Sequence, residues 1–163
     1  MTEINLRTAQ AADAPVILDL IKALAVYEKG ADQVHCTVAD ILRDGFGPSP
    51  VFQCLLAEID GRPAGFALYF FKWSTWTGTC CLHLEDLFVP PEFRKRGVGQ
   101  GLLKALARVA VARGCRRFEW EVLDWNHLAR DFYHGLGAFH KQGWLPYRME
   151  GEALEQFARG GSA

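Results

Sequence analysis

The sequence predicts a protein of the α/β (α+β) class with one mixed, mostly antiparallel sheet and helices on both faces, and three observations lead to it. Segments with strand character and segments with helical periodicity follow one another in the order β-α-α-β-β-β-α-β-α-β. Three consecutive strands separated by turn residues favour antiparallel pairing, whereas a strand that follows a long helix returns in parallel. A length of 163 residues with no linker or internal repeat fits one domain spanning residues 1–163.

The first strand and the first helix lie near the N-terminus. Residues Ile4 to Thr8 alternate apolar and polar side chains, which indicates a half-buried strand. Asp13 as the capping residue and Pro15 within the first turn predict the start of a helix, since proline fits a helix best at its beginning. We expect Gly30 to end this helix.

A second helix and a hairpin follow. Thr37 and Asp40 form a capping box in acidic form, so a short helix begins there. The segments 51–59 and 64–71 are rich in residues that favour strands, and turn residues occupy positions 60–63 between them. This pattern predicts an antiparallel hairpin.

The centre of the chain joins a third antiparallel strand to a long helix. The strand runs from about Cys80 to Val89, after a loop over residues 72–79. Pro90 ends the strand, because proline cannot donate to a sheet ladder. Apolar residues at helical spacing from Leu102 onward predict the helix, and Gly114 is placed to end it.

The C-terminal part predicts a return to the sheet. Segment 118–123 alternates apolar residues with glutamates and should pair in parallel with the strand that precedes the long helix. A short helix is expected over 127–136, ended by Gly137. A last strand over about 144–149 and a terminal helix or tail over 152–158 complete the prediction.

The composition excludes several classes of protein. Half of the residues are apolar and the formal net charge is −1, which argues against disorder and against a general nucleic-acid partner. Five cysteines without a C-x-x-C pair argue against a disulfide framework and a zinc ribbon, so we expect a reducing, cytoplasmic compartment. No apolar run is long enough to span a membrane, and no His or Cys spacing predicts a metal.

A glycine-rich loop precedes the long helix. Three basic residues and three alternating glycines make up this loop: Arg94, Lys95, Arg96, Gly97, Gly99 and Gly101. Amide groups at such a helix start are unpaired and face the positive end of the helix dipole, which predicts a site for phosphate oxygens. The glycines also fit a purely structural interpretation, in which they only let the helix pack closely.

Two common nucleotide-binding motifs do not fit this loop. A Walker loop ends in Gly-Lys-Ser or Gly-Lys-Thr, but here Lys104 precedes Ala105. A Rossmann fingerprint needs a third glycine three residues after the second and no insertion after the strand, but position 102 is leucine and residues 90–95 intervene.

Separate motifs along the chain carry a family resemblance. The segment 94–99, Arg-Lys-Arg-Gly-Val-Gly, is similar to the R/Q-x-x-G-x-G/A signature of the GNAT superfamily of acetyl-CoA-dependent N-acetyltransferases. Further segments resemble the diamine (spermidine/spermine) acetyltransferase family: Leu84 to Val89, Trp125-Asn126, Phe132-Tyr133, Leu136-Gly137-Ala138, and upstream Asp44 to Gly47. Three segments are similar to its thialysine acetyltransferase branch: Tyr69 to Phe71, Ser74-Thr75-Trp76, and Val122 to Asn126.

The resemblance implies a GNAT fold with splayed central strands, and acetyl-CoA as co-substrate. It places the coenzyme between the strands that end near Val89 and Leu123, where strand and loop backbone bind it. The implied coenzyme-binding residues are Leu87, Phe88, Val89, Arg94, Lys95, Arg96, Gly97, Val98, Gly99, Gln100, Asn126 and Ala129.

The resemblance also implies two catalytic residues. Glu85 matches the general base that takes a proton from the amine through water, and Tyr133 matches the acid that protonates the departing thiolate. From the residues alone, Glu85 also fits a solvated edge position and Tyr133 also fits the core. Asp86 points to the opposite face from Glu85 by strand alternation, unless a β-bulge lies between them.

The expected substrate is a small cationic amine. Acidic, aromatic and polar residues at family positions are expected to bind it: Tyr27, Glu28, Ser74, Trp76, Glu85, Asp86, Trp125, Gln142 and Trp144. Ser74 and Gln142 stand where polyamine enzymes of the family carry acids, which favours thialysine or another lysine-like amine over spermidine.

The expected function is therefore acetyl transfer from acetyl-CoA to a primary amine by direct attack in a ternary complex. Two alternatives stay open: a non-catalytic acyl-CoA-binding sensor, and a protein-lysine or N-terminal acetyltransferase. The family resemblance further implies a homodimer, and we expect no membrane partner and no metal.

Overall fold

The fold was analysed on a computed structural model, which describes residues 3–160. By its internal contacts the chain divides into two compact units, the first ending at Glu121 and the second beginning at Val122. No helix among the described residues is long and apolar enough to cross a membrane.

The first unit is built on a five-stranded sheet. Its elements in chain order are β1 (Asn5–Thr8), α1 (Ala14–Tyr27), α2 (Val38–Phe46), β2 (Gln53–Ile59), β3 (Arg62–Ser74), β4 (Thr79–Phe88), α3 (Val98–Ala112) and β5 (Arg117–Trp120). The strands lie in sequence order, and all neighbours are antiparallel except β4 and β5, which are parallel. The predicted mixed, mostly antiparallel sheet is confirmed.

Helices α1 and α2 cover one face of the sheet. Side chains of both helices and of alternate strand positions form a continuous apolar cluster there, which includes Ile17, Leu20, Leu24, Ile41, Leu56, Phe66, Leu68 and Phe88. Burial of each such side chain stabilises the fold by about 1.5–3 kcal/mol, so this cluster is the main source of stability on that face.

Helix α3 packs against the opposite face. Phe66 points towards α1, so its neighbour Gly65 faces the other way by strand alternation. A Cβ at Gly65 would stand 3.1 Å from Cγ1 of Val98 and 2.8 Å from the carbonyl oxygen of Phe88. Gly65 therefore allows close approach of β3 to the start of α3 and to the end of β4. Helices on both faces are confirmed.

The hairpin between β2 and β3 is tighter than the sequence predicts. Only Asp60 and Gly61 form the turn, and both have positive φ (51° and 72°), as a type I′ turn requires. Arg62 and Pro63, which were expected in the turn, belong to β3. A register shift beside Glu58, opposite Pro63, accommodates the missing proline N–H. The other end of β3 also runs longer than expected, so the loop before β4 contains only residues 75–78.

The ends of α1 differ from the prediction in detail. Asp13 occupies the N-cap position, but its carboxylate accepts hydrogen bonds from Arg7 and from the backbone N–H of Gln10. At the other end Lys29, not Gly30, takes the left-handed conformation, with φ of 62°. The predicted box of Thr37 and Asp40 is confirmed at the start of α2.

The second unit contains two helices, α4 (His127–Gly135) and α5 (Gly151–Ala158). The strand predicted over residues 144–149 is wrong, because no strand of the described chain lies there. Proline at position 146 removes one backbone donor, and an extended segment gains ladder hydrogen bonds only beside another strand. The terminal helix is confirmed as α5.

Candidate active site

A β-bulge lies at Glu85, the predicted general base. Leu68 of β3 pairs with Asp86, and the next residue, Tyr69, pairs with Leu84, so Glu85 is the extra residue of β4. A bulge interrupts strict alternation, which removes the objection that Glu85 and Asp86 must face opposite sides. With this bulge, Glu85 and Asp86 can both face the same side of the strand.

Glu85 combines solvent access with a histidine neighbour. Its side chain is 57% exposed, so water can reach the carboxylate. Nε2 of His83 lies 3.7 Å from Oε2 of Glu85. The imidazole of His83 lies against the ring of Phe70, at 4.9 Å between centroids, and its Nδ1 is buried without a hydrogen-bond partner in the described part of the chain.

Asp86 is the half-buried member of an acidic cluster. Burial and, to a lesser extent, the negative charges of Glu85 and then Glu28 together raise the pKa of Asp86 from its ordinary 3.8 to about 6. Burial also raises the pKa of Glu28, at the C-terminal end of α1. A carboxyl whose ionisation two nearby carboxylates oppose favours a cation beside it, and such perturbed groups are typical of functional sites. We call Glu28, Glu85 and Asp86 the acid cluster.

Past the bulge, β4 has a free edge on the β5 side. The parallel pairing with β5 runs from Cys81–Arg117 to Leu84–Trp120 and stops there. Residues 85–88 of β4 pair only with β3 in the described sheet. Backbone groups on this edge can pair with an extended ligand as an added strand would.

The loop after β4 presents backbone amides at the start of α3. Lys95 and Gly97 both have positive φ (59° and 86°), and Gly97 is the N-cap residue of α3. Gly101 donates the first helical hydrogen bond, to the carbonyl oxygen of Gly97 at 2.8 Å. The N–H groups of residues 98–100 therefore lie ahead of the helical ladder, where an anion can accept from them.

The guanidinium of Arg94 is engaged within the first unit. Its Nε donates to the carbonyl oxygen of Val89 at 3.0 Å, and the group lies 4.8 Å from the ring centroid of Tyr27. Arg94 thus connects the loop to the end of β4 and to the C-terminal end of α1, which is followed by Glu28. This placement assigns Arg94 and Tyr27 a structural role beside any contact with a ligand.

One face of α4 carries three of the predicted site residues. Asn126 is buried at the N-cap, where its side-chain oxygen accepts from the N–H of Ala129 at 3.2 Å. Spacings of three and four residues place Asn126, Ala129 and Tyr133 on the same face of the helix. The ring of Tyr133 also contacts Phe132, at 5.5 Å between centroids.

Comparison with known proteins decides the family. The acetyltransferase (GNAT) family model matches residues 17–138, three quarters of the chain. This chain belongs to the GNAT acetyltransferase family. It is an N-acetyltransferase.

Curated relatives of this GNAT protein agree over nearly its whole length. It is 43% identical to the thialysine N-epsilon-acetyltransferase of Sus scrofa, over 97% of this chain and 99% of that protein. The thialysine N-epsilon-acetyltransferase of Caenorhabditis elegans is 34% identical over the same shares of the two chains. The spermidine/spermine N(1)-acetyltransferase-like protein 1 of Homo sapiens is 37% identical over 97% of this chain, but this covers only 24% of that protein.

Solved structures confirm the GNAT fold. An integron cassette protein from V. cholerae superimposes with a TM-score of 0.82 at 23% identity, covering 98% of this chain and 99% of that one. An aminoglycoside N-acetyltransferase in complex with CoA superimposes with a TM-score of 0.74 at 23% identity, over 91% and 96% of the chains. At this level of identity the similarity speaks for the fold alone.

Not all predicted substrate residues of this acetyltransferase lie near the acid cluster. Ser74 ends β3 and Trp76 stands exposed in the turn that follows. The residue opposite Ser74 is Thr79, six positions before Glu85 along β4, which corresponds to about 20 Å of strand. Within the first unit, therefore, Ser74 and Trp76 lie far from the acid cluster.

The remaining predicted substrate residues lie in the second unit. Trp125 precedes the N-cap of α4 and is 41% exposed. Gln142 and Trp144 are exposed in the segment between α4 and α5, where the ammonium of Lys141 lies 4.2 Å from the ring centroid of Trp144. Their role in substrate binding stays a prediction.

Sequence reasoning missed two residues of this site. His83 was not among the predicted site residues, although its spacing of two from Glu85 on a strand already places both on one side. Gly65 carries no motif, and only the packing of β3 against β4 and α3 reveals it. No group of three or more His, Cys, Asp and Glu side chains in residues 3–160 could hold a metal ion.

Proposed function

We propose that this protein transfers the acetyl group of acetyl-CoA to the primary amine of a small lysine-like substrate, thialysine or a similar amine before spermidine. The observation that carries the proposal is the acid cluster at the point where β4 loses its β5 neighbour. A cationic amine is thereby attracted to the strand edge that an acyl donor would occupy. The high identity to thialysine N-epsilon-acetyltransferases supports the choice of amine.

The residues at the start of α3 are suited to bind coenzyme A. The N–H groups of residues 98–100 and the left-handed backbone at Lys95 and Gly97 suit pyrophosphate oxygens. The free β4 edge at Leu87 suits an extended pantetheine arm. When bound, acetyl-CoA supplies a thioester, whose carbonyl is activated towards an amine.

Glu85 is the proposed general base. An alkylamine has a pKa near ~10.4 and is almost wholly protonated at neutral pH, so a group of the protein must accept a proton before attack. Glu85 is exposed enough for a water molecule to carry that proton to its carboxylate. Asp86 and Glu28 then hold the ammonium form of the substrate beside Glu85.

Tyr133 is the proposed general acid. Formation of the amide bond breaks the carbon–sulfur bond of the thioester, and the departing thiolate requires a proton. The phenol of Tyr133 lies on the face of α4 that also carries Asn126 and Ala129. These two residues are proposed to contact the coenzyme from the same helix face.

Two features favour a short amine over a long polycation. Serine at position 74 and glutamine at position 142 carry no charge, where polyamine enzymes of the family have acids. Within the first unit, moreover, the negative charges of Glu85 and Glu28 both act on Asp86. This arrangement suits one ammonium group better than several.

The release of coenzyme A thiol in the presence of an amine panel tests the proposal. We expect the highest kcat/KM with thialysine, a lower value with spermidine and the lowest with a lysine peptide. The absence of thiol release with all three would contradict acetyl transfer to small amines and favour an acyl-CoA sensor. A preference for the peptide would indicate a protein-lysine acetyltransferase.

Replacement of Tyr133 by phenylalanine tests the acid. We expect kcat to fall about 10²-fold with little change in KM, since only the proton donor is lost. Phe132→Leu is the matched control, because it alters the neighbouring ring contact without touching the phenol. Full turnover of Tyr133→Phe would remove this tyrosine from the mechanism.

We also propose that the protein is a homodimer in the cytoplasm. Large apolar side chains of the second unit lie at its surface, among them Phe139, Leu145 and Tyr147. Exposed groups of this kind are typical of interaction surfaces. A dimeric mass by light scattering is the expected result, and a monomeric mass at micromolar concentration would contradict it.

A further inference from the structure

Two cysteine sulfurs far from the acid cluster lie against each other in the first unit. Sγ of Cys80 and Sγ of Cys115 are 2.9 Å apart, although 35 positions separate the residues in sequence. Both residues are half-buried free thiols, in contrast to the buried Cys54 and Cys81. Small reagents can therefore reach this pair more easily than the cysteines of the core.

Backbone contacts hold the two cysteines in this position. Cys80 is the second residue of β4, and its thiol donates to the carbonyl oxygen of Arg113 at 3.5 Å. Cys115 follows the left-handed Gly114 at the end of α3, and its N–H donates to the carbonyl oxygen of Ala110 at 2.9 Å. The approach is thus set by the end of α3 and by the start of the parallel pairing between β4 and β5.

We propose that Cys80 and Cys115 form a modification site at which a mild oxidant produces an intramolecular disulfide. A disulfide has an S–S length near 2.05 Å, so the sulfurs need to approach by about 0.9 Å. Small rotations of two side chains supply such a displacement. No movement of a strand or a helix is required.

Hydrogen peroxide is a sufficient oxidant for this step. Cys80 loses its proton, its thiolate attacks one peroxide oxygen and the O–O bond breaks; the departing hydroxide takes up that proton, so that a sulfenic acid and one water form. The sulfur of Cys115 then attacks the sulfenic sulfur, the S–O bond breaks, and the proton of Cys115 leaves with the hydroxide as a second water. Two thiols and one peroxide thus give one disulfide and two waters.

The neighbourhood of the pair influences how fast it reacts. Burial, followed by the adjacent Cys80 sulfur, raises the pKa of the Cys115 thiol above its usual range, while the positive charge of Arg113 opposes this shift. Because the thiolate is the reactive form, oxidation is faster at pH 8.5 than at pH 7.

The disulfide would enclose the segment from Cys80 to Cys115. This segment contains the bulge of β4, the glycine loop and all of α3. A covalent closure of this length lowers the entropy of the unfolded chain, and we expect the thermal midpoint to rise by about 5–10 °C. Cys80 lies five residues before Glu85, so the cross-link leaves the acid cluster uncovered.

The experiment counts thiols in the full-length protein. The reduced chain, freed of reductant, is treated with one equivalent of hydrogen peroxide at pH 8.5, and thiols are titrated after denaturation. We expect the count to fall from five to three in a species that stays a single chain on a non-reducing gel. Tryptic mass spectrometry should find residues 73–94 joined to residues 114–116, and dithiothreitol should restore both the thiols and the original midpoint.

Variants identify the pair, because Cys81 lies on the same tryptic peptide as Cys80. Cys80→Ser should keep all four of its thiols, whereas Cys81→Ala and Cys36→Ala should each drop from four to two. Three outcomes would overturn the proposal: the unmodified chain keeps five thiols, cross-links form only between two chains, or Cys80→Ser loses two thiols. A disulfide that forms without a rise in midpoint would also contradict it. None of these measurements uses catalysis, so they are independent of the proposed acetyl transfer.

Discussion

The two halves of strand β4 have different environments and different roles. The first half, residues 79–84, pairs with β3 on one side and, from Cys81 onward, with β5 on the other. Its Leu82 and Leu84 are buried at 0% and 2% exposure. The second half, residues 85–88, begins with the bulge, pairs only with β3 in the described sheet, and carries an exposed and a half-buried acid.

The difference teaches how one strand can serve both fold and site. A strand paired on both sides has its backbone groups satisfied and its side chains enclosed, so it contributes stability. A strand that loses one neighbour keeps backbone groups available to a ligand, and a bulge redirects its side chains. Substitutions in the first half should therefore change stability, and those in the second half should change activity.

The largest expected effect is that of Glu85→Gln on catalysis. Loss of a general base lowers kcat by about 10²–10⁴-fold, and the rate that remains should rise as the pH approaches the amine pKa of ~10.4. Steady-state kinetics from pH 6 to pH 10 measure both. Because Glu85 is exposed, the unfolding free energy should change by less than about 0.5 kcal/mol.

Glu92→Gln is the control for this variant, since Glu92 is an exposed acid outside the acid cluster. We expect its rate and pH profile to match those of the unmodified chain. An unchanged pH profile in Glu85→Gln would remove Glu85 as the base and direct attention to Asp86.

Leu84→Ala should produce the largest loss of stability on β4. Truncation of a fully buried leucine costs about 2–5 kcal/mol through lost burial and the cavity that remains. Urea denaturation measures the loss. Leu87, in the second half of the strand, is only half-buried, so Leu87→Ala should lower the unfolding free energy clearly less. Equal losses of unfolding free energy at the two positions would contradict the distinction between the halves.

Asp86→Asn should stabilise the protein near neutral pH. The folded-state pKa of Asp86 is about 6, above the ordinary 3.8, so ionisation is less favourable in the folded chain. Stability is therefore lost as the pH rises from about 4 through about 6, and this loss persists at pH 7. Removing the charge should recover about 1–3 kcal/mol at pH 7 and almost nothing at pH 3.5.

Urea denaturation at pH 3.5, 5, 6 and 7 measures this difference between the variant and the unmodified chain. A constant difference over that range would contradict the raised pKa. If KM for the amine rises in the same variant, the charge of Asp86 lowers the stability of the protein but helps to bind the substrate, as is common for residues of functional sites.

The elements with strong local signals could be predicted from sequence. The capping box of Thr37 and Asp40, the left-handed glycines at positions 97 and 114, and the apolar periodicity of α3 all act within a few residues of one another. Because these interactions join residues close in sequence, the sequence itself predicts them. The same holds for the glycine loop and for the need for a bulge between Glu85 and Asp86.

Contacts between distant segments could be predicted only in part, since the parallel pairing of β5 with β4 is confirmed but other long-range expectations are not. The strand expected over residues 144–149 has a strand-like pattern but no neighbouring strand in the described chain, and a pattern alone forms no ladder. Ser74 belongs to a motif that resembles substrate-binding segments, yet the length of β4 separates it from the acid cluster within the first unit. Gly65 became visible only through the atoms it faces.

The sequence by itself determined the class of fold, the family and the chemistry available to this N-acetyltransferase, because those depend on residue types at short spacing. Only the tertiary structure decided where β4 loses its second neighbour, that the charge of Glu28 acts on Asp86, and that the sulfurs of Cys80 and Cys115 meet. Burial and contact between residues tens of positions apart arise from packing of the whole sheet, so no local pattern records them.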